Sequence, residues 1–255
     1  MRVRGLLAIV LLAVAGCASA PTEREPGDRF ERVNRVAHGF NRGVDLVLMR
    51  PVAEVYKLGA EDRLPGKIRR RVSNFVTNLR GPIDISNNFL QGEFRRSFSG
   101  VGRLLVNSTI GLGGLFDLAS KWGMPRHQED FGQTFAKWGV PQGPYVVLPL
   151  LGPSSVRDVA GLVLGWQIHA GAQYDDISTR NGLLLLDLIH TRAEQLRFER
   201  QREVALDSYV QERGLYLRSR ARAIRNEDSP DAFDYQSLLD ESFENVNDAQ
   251  SLGGK

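Results

Sequence analysis

The stretch FERVNRVAHGFNRGVDLVL, residues 30 to 48, decides the fold class. Phe30, Val33, Ala37, Phe40, Val44, Val47 and Leu48 recur in steps of three and four, with one adjacent pair at the end. That period places them on one face of an α-helix and excludes a strand, whose side chains alternate. Met49-Arg50-Pro51 should end or kink this helix, because a proline disfavours helical geometry in the residue before it. Pro65-Gly66 opens a second helix in which Ile68, Val72, Phe75, Val76 and Leu79 share a face, while Lys67, Arg69, Arg70 and Arg71 lie largely off it. Gly81-Pro82 is expected to break it. Phe94, Phe98, Val101 and Leu105 repeat the pattern, as do Val156, Val159, Ala160, Val163 and Leu164. A mostly helical stretch follows from about 181 to 224.

Between Gly111 and Gly152 glycine and proline are dense, so short helices and loops are expected. Tyr145-Val146-Val147-Leu148 is the best strand candidate, but it is short and fenced by prolines. The class is therefore all-α, as a single domain over residues 30 to 225. The apolar faces have two uses. In a soluble protein they pack on one another; in a protein tethered to a bilayer they can also lie in the interface, apolar side down.

A tether is written into the N-terminus. Arg2 and Arg4 precede an apolar run from Leu6 to Ala15, and the segment ends Leu12-Ala13-Val14-Ala15-Gly16-Cys17. The run is about ten residues, against the roughly 20 a spanning helix needs. Small residues before the chain's single cysteine give the layout of a bacterial lipoprotein signal, so residues 1 to 16 should be removed and Cys17 lipidated. Several acyl chains anchor stably where one does not. Ala18, rather than Asp, favours the outer membrane in the sorting rule of enteric lipoproteins. Residues 17 to 29 read as a linker. With the only cysteine lipidated, no disulfide can form.

Charge is near balance overall, with a formal net charge of +3 that falls towards neutrality once Arg2 and Arg4 are removed. Nucleic acid is not indicated. The charge is uneven, however. Nine arginines against five acids lie between Arg192 and Arg225, and eight acids with no Lys or Arg lie between Glu227 and Asp248. The basic stretch suits anionic headgroups or a solvated helix face. The tail, 226 to 255, is expected to be disordered.

No catalytic constellation assembles. His38, His127, His169 and His190 are scattered, with no metal-ligand spacing. Gly152-Pro153-Ser154-Ser155 resembles a serine-hydrolase elbow only superficially, lacking the G-x-S-x-G frame and a strand leading into it. Gly111-Leu112-Gly113-Gly114 is neither a dinucleotide fingerprint nor a P-loop. No enzyme activity, cofactor or metal is expected.

A specific set of blocks carries a family resemblance. Glu129-Asp130-Phe131-Gly132-Gln133-Thr134, Trp138-Gly139-Val140, Gly143-Pro144-Tyr145-Val146-Val147-Leu148-Pro149-Leu150-Leu151-Gly152-Pro153-Ser154 and Arg157-Asp158 follow in order. Upstream lie Phe30-Glu31-Arg32-Val33-Asn34-Arg35, Arg50-Pro51-Val52-Ala53, Ser73-Asn74-Phe75, Asn78-Leu79, Asn88-Phe89-Leu90-Gln91-Gly92, and Gly102-Arg103 through Asp117. Asp207-Ser208-Tyr209 adds a late motif. Together these resemble the MlaA/VacJ lipoproteins. Val33 and Pro141 depart from the usual pattern, where relatives tend to carry an aromatic and a small residue.

The resemblance implies a ring-like body of helices in the inner leaflet of the outer membrane. It would take mislocalised phospholipid from the outer leaflet and pass it to a soluble periplasmic carrier of the MlaC kind, in association with trimeric porins, so maintaining lipid asymmetry. A polar passage through such a body would lower the cost of moving a headgroup past hydrocarbon. Gly139 and Gly143 are candidate hinge positions, with Tyr145, Val147, Leu148 and Pro149 as the segment they would move along the passage. Arg213, Arg218, Arg220 and Arg222 are candidate contacts to headgroups or carrier. The alternative is an adaptor lipoprotein that binds porins without conducting lipid.

Overall fold

A computed structural model describes residues 28–58, 64–195 and 207–226. Cys17, the signal segment, the acidic tail and residues 196 to 206 lie outside the described residues.

Helix α1 (Glu31–Val44) does not stop at the proline. It passes through a π-helical turn (Asp45–Met49) into α2 (Arg50–Leu58), and Pro51 falls in the first turn of α2. The wider turn before it makes room for the proline ring and its missing N–H within a continuous helix. Helix α3 (Leu64–Leu90) likewise runs through Gly81-Pro82. Packing overrides the local preference here. A Cβ on Gly81 would lie 3.2 Å from Leu104 and one on Gly100 would lie 2.9 Å from Ile85, so α4 (Phe94–Thr109) is pressed along α3.

After α4 come the short helices α5 (Leu118–Lys121) and α6 (Phe131–Lys137), capped by the Asp117 and Asp130 carboxylates on the backbone N–H of Ser120 and Gln133. Strands do form in the glycine-proline region. β1 (Tyr145–Leu148) pairs antiparallel with β2 (Gly152–Ser155), Tyr145 opposite Ser155 and Leu148 opposite Gly152. Ser155 then caps α7 (Val156–Ile168). A 3₁₀ turn (Ala170–Gln173), α8 (Ile177–Gln195) and α9 (Ser208–Ile224) complete the order. The architecture is all-α with one small hairpin.

Contacts between elements close into a circuit. α1 leads through the π turn to α2, α2 packs on α8, α8 on the 3₁₀ turn, and that turn on α7; α7 packs on α6, α6 on α9, α9 on β2, and β1 on α1. α3 also touches α6, α7, α8 and the 3₁₀ turn. The hairpin sits between α1 and α9, where Ala37, Tyr145, Val147 and Tyr209 form a small apolar core. No described helix is long and apolar enough to cross a membrane.

α1 holds the hairpin through side chains alone. Asn34 donates to the Tyr145 carbonyl (3.1 Å) and accepts from the Val147 N–H (2.9 Å). Asn41 donates to the Leu148 carbonyl (2.8 Å) and accepts from the Leu150 N–H (2.7 Å). Each amide offers the strand what a neighbouring strand would offer. The seven residues between the two asparagines rise about 10.5 Å along α1, which lets Asn34 hold the start of β1 and Asn41 its end and the turn that follows.

Candidate functional site: a polar interior beneath an apolar surface

Of the two uses open to an apolar face, several helices show the outward one. On α4, Phe94, Phe98, Val101 and Leu105 are all exposed, Phe98 at 70%, while Ser97, Arg103 and Asn107 on the same helix are buried. On α1, Glu31 and Asn34 are buried and Val33 and Phe40 exposed. The π turn and α2 present Leu46, Val47 (81%), Leu48, Val52 and Val55 outward. Trp122, Trp138 and Trp166 are exposed as well. Among the described residues, buried polar and charged residues outnumber buried apolar ones. An amphipathic helix has the same period whichever face is inside, so the sequence pattern alone could not assign the sign. Apolar surface on this scale marks an interaction with membrane or protein.

The interior is held by charge and hydrogen bonds. Arg220 on α9 forms a two-point pair with Asp130 (2.6 and 3.0 Å) and lies 2.9 Å from Asp158 on α7. Asp158 also accepts from the Tyr216 hydroxyl and pairs with Arg157 (3.0 Å). Burial pushes the Asp158 carboxyl up, but Arg220, Tyr216 and Arg157 outweigh it and hold it below the usual carboxylate range. Asp28 accepts from Asn34 (3.2 Å) and from the Tyr209 hydroxyl. Arg192 clamps Asp45 from α8 (2.5 and 2.6 Å), and Arg80 on α3 reaches Asp187 (2.7 Å). Glu129, buried against Gln91 (2.7 Å), is pushed up to about 7 by that burial.

Between α3, α4 and the loops after them lies an open polar cleft enclosing about 500 Å³, including the solvent at its mouth. Asn74, Asn78, Asp84 and Asn88 line it from α3, with Arg96, Arg103 and Asn107 from α4 and Asp117, Arg126 and His127 from the segments beyond. None of these residues is among the candidate site residues read from the sequence. Their signal was present, since Asn74, Asn78, Gly81, Ile85 and Asn88 keep the steps of three and four that the apolar residues keep.

The residues chosen from sequence lie elsewhere. Gly139 and Gly143 both have positive φ (+84° and +70°), a conformation that favours glycine. Gly139 ends α6, its N–H bonded to the Ala136 carbonyl and that of Val140 to Phe135. The chain beside Gly143 is fixed, because the Gln142 and Pro144 carbonyls accept from the backbone N–H of Arg157 and Val156, each at 3.2 Å. Tyr145 and Val147 are buried in the core rather than on the cleft, Leu148 is half-buried, and Pro149 is exposed in the hairpin turn. Arg220 is turned inward to its two aspartates. Arg213 stands over the Tyr145 ring, 5.8 Å from its centroid, with Nε 3.8 Å from Asp28. Arg218 and Arg222 are partly exposed on α9. Ser154 is buried, its hydroxyl donating at 3.4 Å to the Ser155 carbonyl.

Comparison with known proteins agrees with this arrangement. The family model described as MlaA lipoprotein matches residues 26–223. The chain belongs to the MlaA lipoprotein family. A family member from Escherichia coli strain K12, named intermembrane phospholipid transport system lipoprotein MlaA, is 32% identical over 224 residues, 83% of this chain and 84% of that one. An uncharacterized protein of Rickettsia felis is 33% identical over 200 residues, 78% of each chain. A solved chain described under "Structural basis for maintenance of bacterial outer membrane lipid asymmetry" matches with a TM-score of 0.68 at 30% identity, covering 79% of this chain and 100% of that one.

Proposed function

We propose that this protein is an outer-membrane lipoprotein that withdraws mislocalised phospholipid from the outer leaflet and passes it towards the periplasm. The single observation that carries the reading is the inverted helices: apolar faces outward, polar faces inward around a polar cleft. Such a body can sit in one leaflet with hydrocarbon against its exterior. Inside it a headgroup meets hydrogen-bond partners instead of acyl chains, which removes much of the cost of leaving water. The relatives' names, intermembrane phospholipid transport lipoproteins, support the same activity.

Four further parts of the reading rest on the sequence and the family resemblance. Lipidated Cys17 delivers the chain to the periplasmic face of the outer membrane. Trimeric porins hold it there. A soluble periplasmic carrier of the MlaC kind receives the lipid, with Arg213, Arg218 and Arg222 as the contacts from α9. Gly139 and Gly143 flank the hinge on which the segment from Tyr145 to Pro149 shifts to gate the passage, a motion that requires the bonds from the Arg157 and Val156 N–H to the Gln142 and Pro144 carbonyls to open.

The test is complementation of a strain lacking its own family member, with outer-leaflet phospholipid as the readout. The chain should restore the low wild-type level and Cys17→Ser should not. Porin capture with no change in outer-leaflet phospholipid would favour the adaptor role and overturn transport. Loss of phospholipid with release of lysophospholipid or fatty acid, abolished by Ser154→Ala, would make the protein a hydrolase instead. Unchanged phospholipid levels with Gly143→Pro would remove the hinge.

A further inference from the structure

The polar cleft is unevenly satisfied. At one end Asp117 accepts from Arg103 (3.1 Å to each oxygen), Asn107 (3.0 Å), and the Ser120 N–H (3.1 Å) and hydroxyl (2.5 Å). That end is closed on itself. The other end is not. Asp84 accepts only two long bonds, from Arg126 Nε (3.2 Å) and the Glu129 N–H (3.3 Å). One helical turn on, Asn88 is 1% exposed and directs its amide nitrogen to the carbonyls of Asp84 (2.8 Å) and His127 (3.3 Å), which leaves its buried Oδ1 with no donor. An unsatisfied amide oxygen one turn from a carboxylate held by only one long bond at each oxygen asks for a donor bearing positive charge. Beside them the terminal nitrogens of Arg126 have no hydrogen-bond partner among the described residues, and a phosphate would satisfy them.

We infer that this end of the cleft is a headgroup site selective for zwitterionic phosphoethanolamine, with the ammonium on Asp84 and Asn88 Oδ1 and the phosphate on Arg126. The assignment rests on the transport reading above, whose substrate class it narrows. Burial pushes the Asp84 carboxyl up although Arg126 and Arg80 both act to lower it, so the two arginines leave its desolvation incompletely offset. A phosphoglycerol headgroup offers the same phosphate but only hydroxyls to Asp84. One charge-assisted bond in place of a neutral one is worth on the order of tenfold.

The full chain, presented with donor vesicles of equal phosphatidylethanolamine and phosphatidylglycerol, should enrich phosphatidylethanolamine in the acceptor membrane about tenfold. Asp84→Asn should move the ratio back towards the supplied one, whatever happens to the total. Transfer in the supplied ratio by the wild-type chain, or enrichment that survives Asp84→Asn in a folded protein, overturns the inference. Glycerophosphoethanolamine and glycerophosphoglycerol, titrated into the purified protein, decide the site without transport. Preference for the former supports it, and equal or absent binding overturns it. Transfer of neither lipid, with that preference intact, would overturn the transport reading and leave the site standing.

Discussion

Gly161 lies so close beneath α6 that a methyl group on its Cα would fall 2.9 Å from the carbonyl carbon of Phe131 and 3.0 Å from the Cα of Gly132. Gly132 is equally confined, since a Cβ there would lie 2.6 Å from the Arg220 guanidinium and 3.0 Å from the Asp158 carboxyl carbon. The two glycines set the distance at which α6, α7 and α9 meet the Arg220 cluster. Gly161→Ala, which pushes on backbone, should lower stability by about 1 to 3 kcal/mol. Gly132→Ala should also disturb the ion pairs. Thermal unfolding in detergent measures both.

Arg220→Met should be more damaging than either alanine change. It leaves Asp158 and Asp130 facing each other without their shared cation, and breaking a buried pair costs about 3 to 5 kcal/mol. Asp158 makes the dependence on pH explicit. Its folded pKa lies below the unfolded value, so its contribution is present above the unfolded pKa and is lost as pH falls through the folded one. Acid unfolding of the wild type should carry a component that Asp158→Asn removes.

Glu129 runs the other way. With its pKa raised from 4.5 to about 7 by burial, the folded state holds a proton that the unfolded state releases. Its contribution to stability is therefore full below about pH 4.5 and declines up to about pH 7. Glu129→Gln should flatten the stability curve across that window, as read by melting temperature in a pH series. A Gln variant with the wild-type slope would show that Glu129 titrates normally.

The asparagine clamp predicts an ordered pair of effects. Asn34→Ala removes two hydrogen bonds at a buried site and strands the Tyr145 carbonyl, at a cost of about 2 kcal/mol or more. Asn41→Ala acts at a more exposed place, so it should cost less. Hydrogen exchange at Val147 and Leu150 separates the two, each amide losing protection only with its own asparagine.

Phe98→Asp and Val47→Asp test which face is outside. In detergent-free thermodynamic terms neither residue is packed, so unfolding should change within about 0.5 kcal/mol. With the lipid anchor removed by Cys17→Ser, membrane association of the body should fall sharply, because a charge is then driven into hydrocarbon. Vesicle flotation gives the second measurement. If both substitutions unfolded the protein, those faces would be interior.

The helices and their order were legible in the sequence because the three-four period survives inversion of the faces. What could not be read was which side of each period is inside, and that is where the candidate site lies. Phe98 and Leu105 look like core residues on any helical wheel, and Arg103 and Asn107 look like surface. Pro51 and Pro82 misled about continuity for a related reason: a π turn and the pressure of α4 on Gly81 are not visible locally. Tyr145 to Leu148 became a strand because Asn34 and Asn41 supply partners beyond β2, and no strand-propensity argument looks for them in a helix 107 to 113 residues earlier. The motif blocks nevertheless contained Asn34, Asp130, Gly132, Asp158 and Arg103, the residues on which the interior turns.

The clamp on the hairpin recognises carbonyls and amide protons, which every residue except proline carries alike. It is therefore blind to the side chains of the segment it holds. The family motif over Gly143 to Ser154 therefore answers to something other than the clamp: the Tyr145 and Val147 core, and the positive φ at Leu150 and Gly152 that closes the turn. A side-chain change at Val146 or Leu151 should leave the bonds to Asn34 and Asn41 in place, whereas a proline at 147 or 150 would remove a proton that the clamp needs.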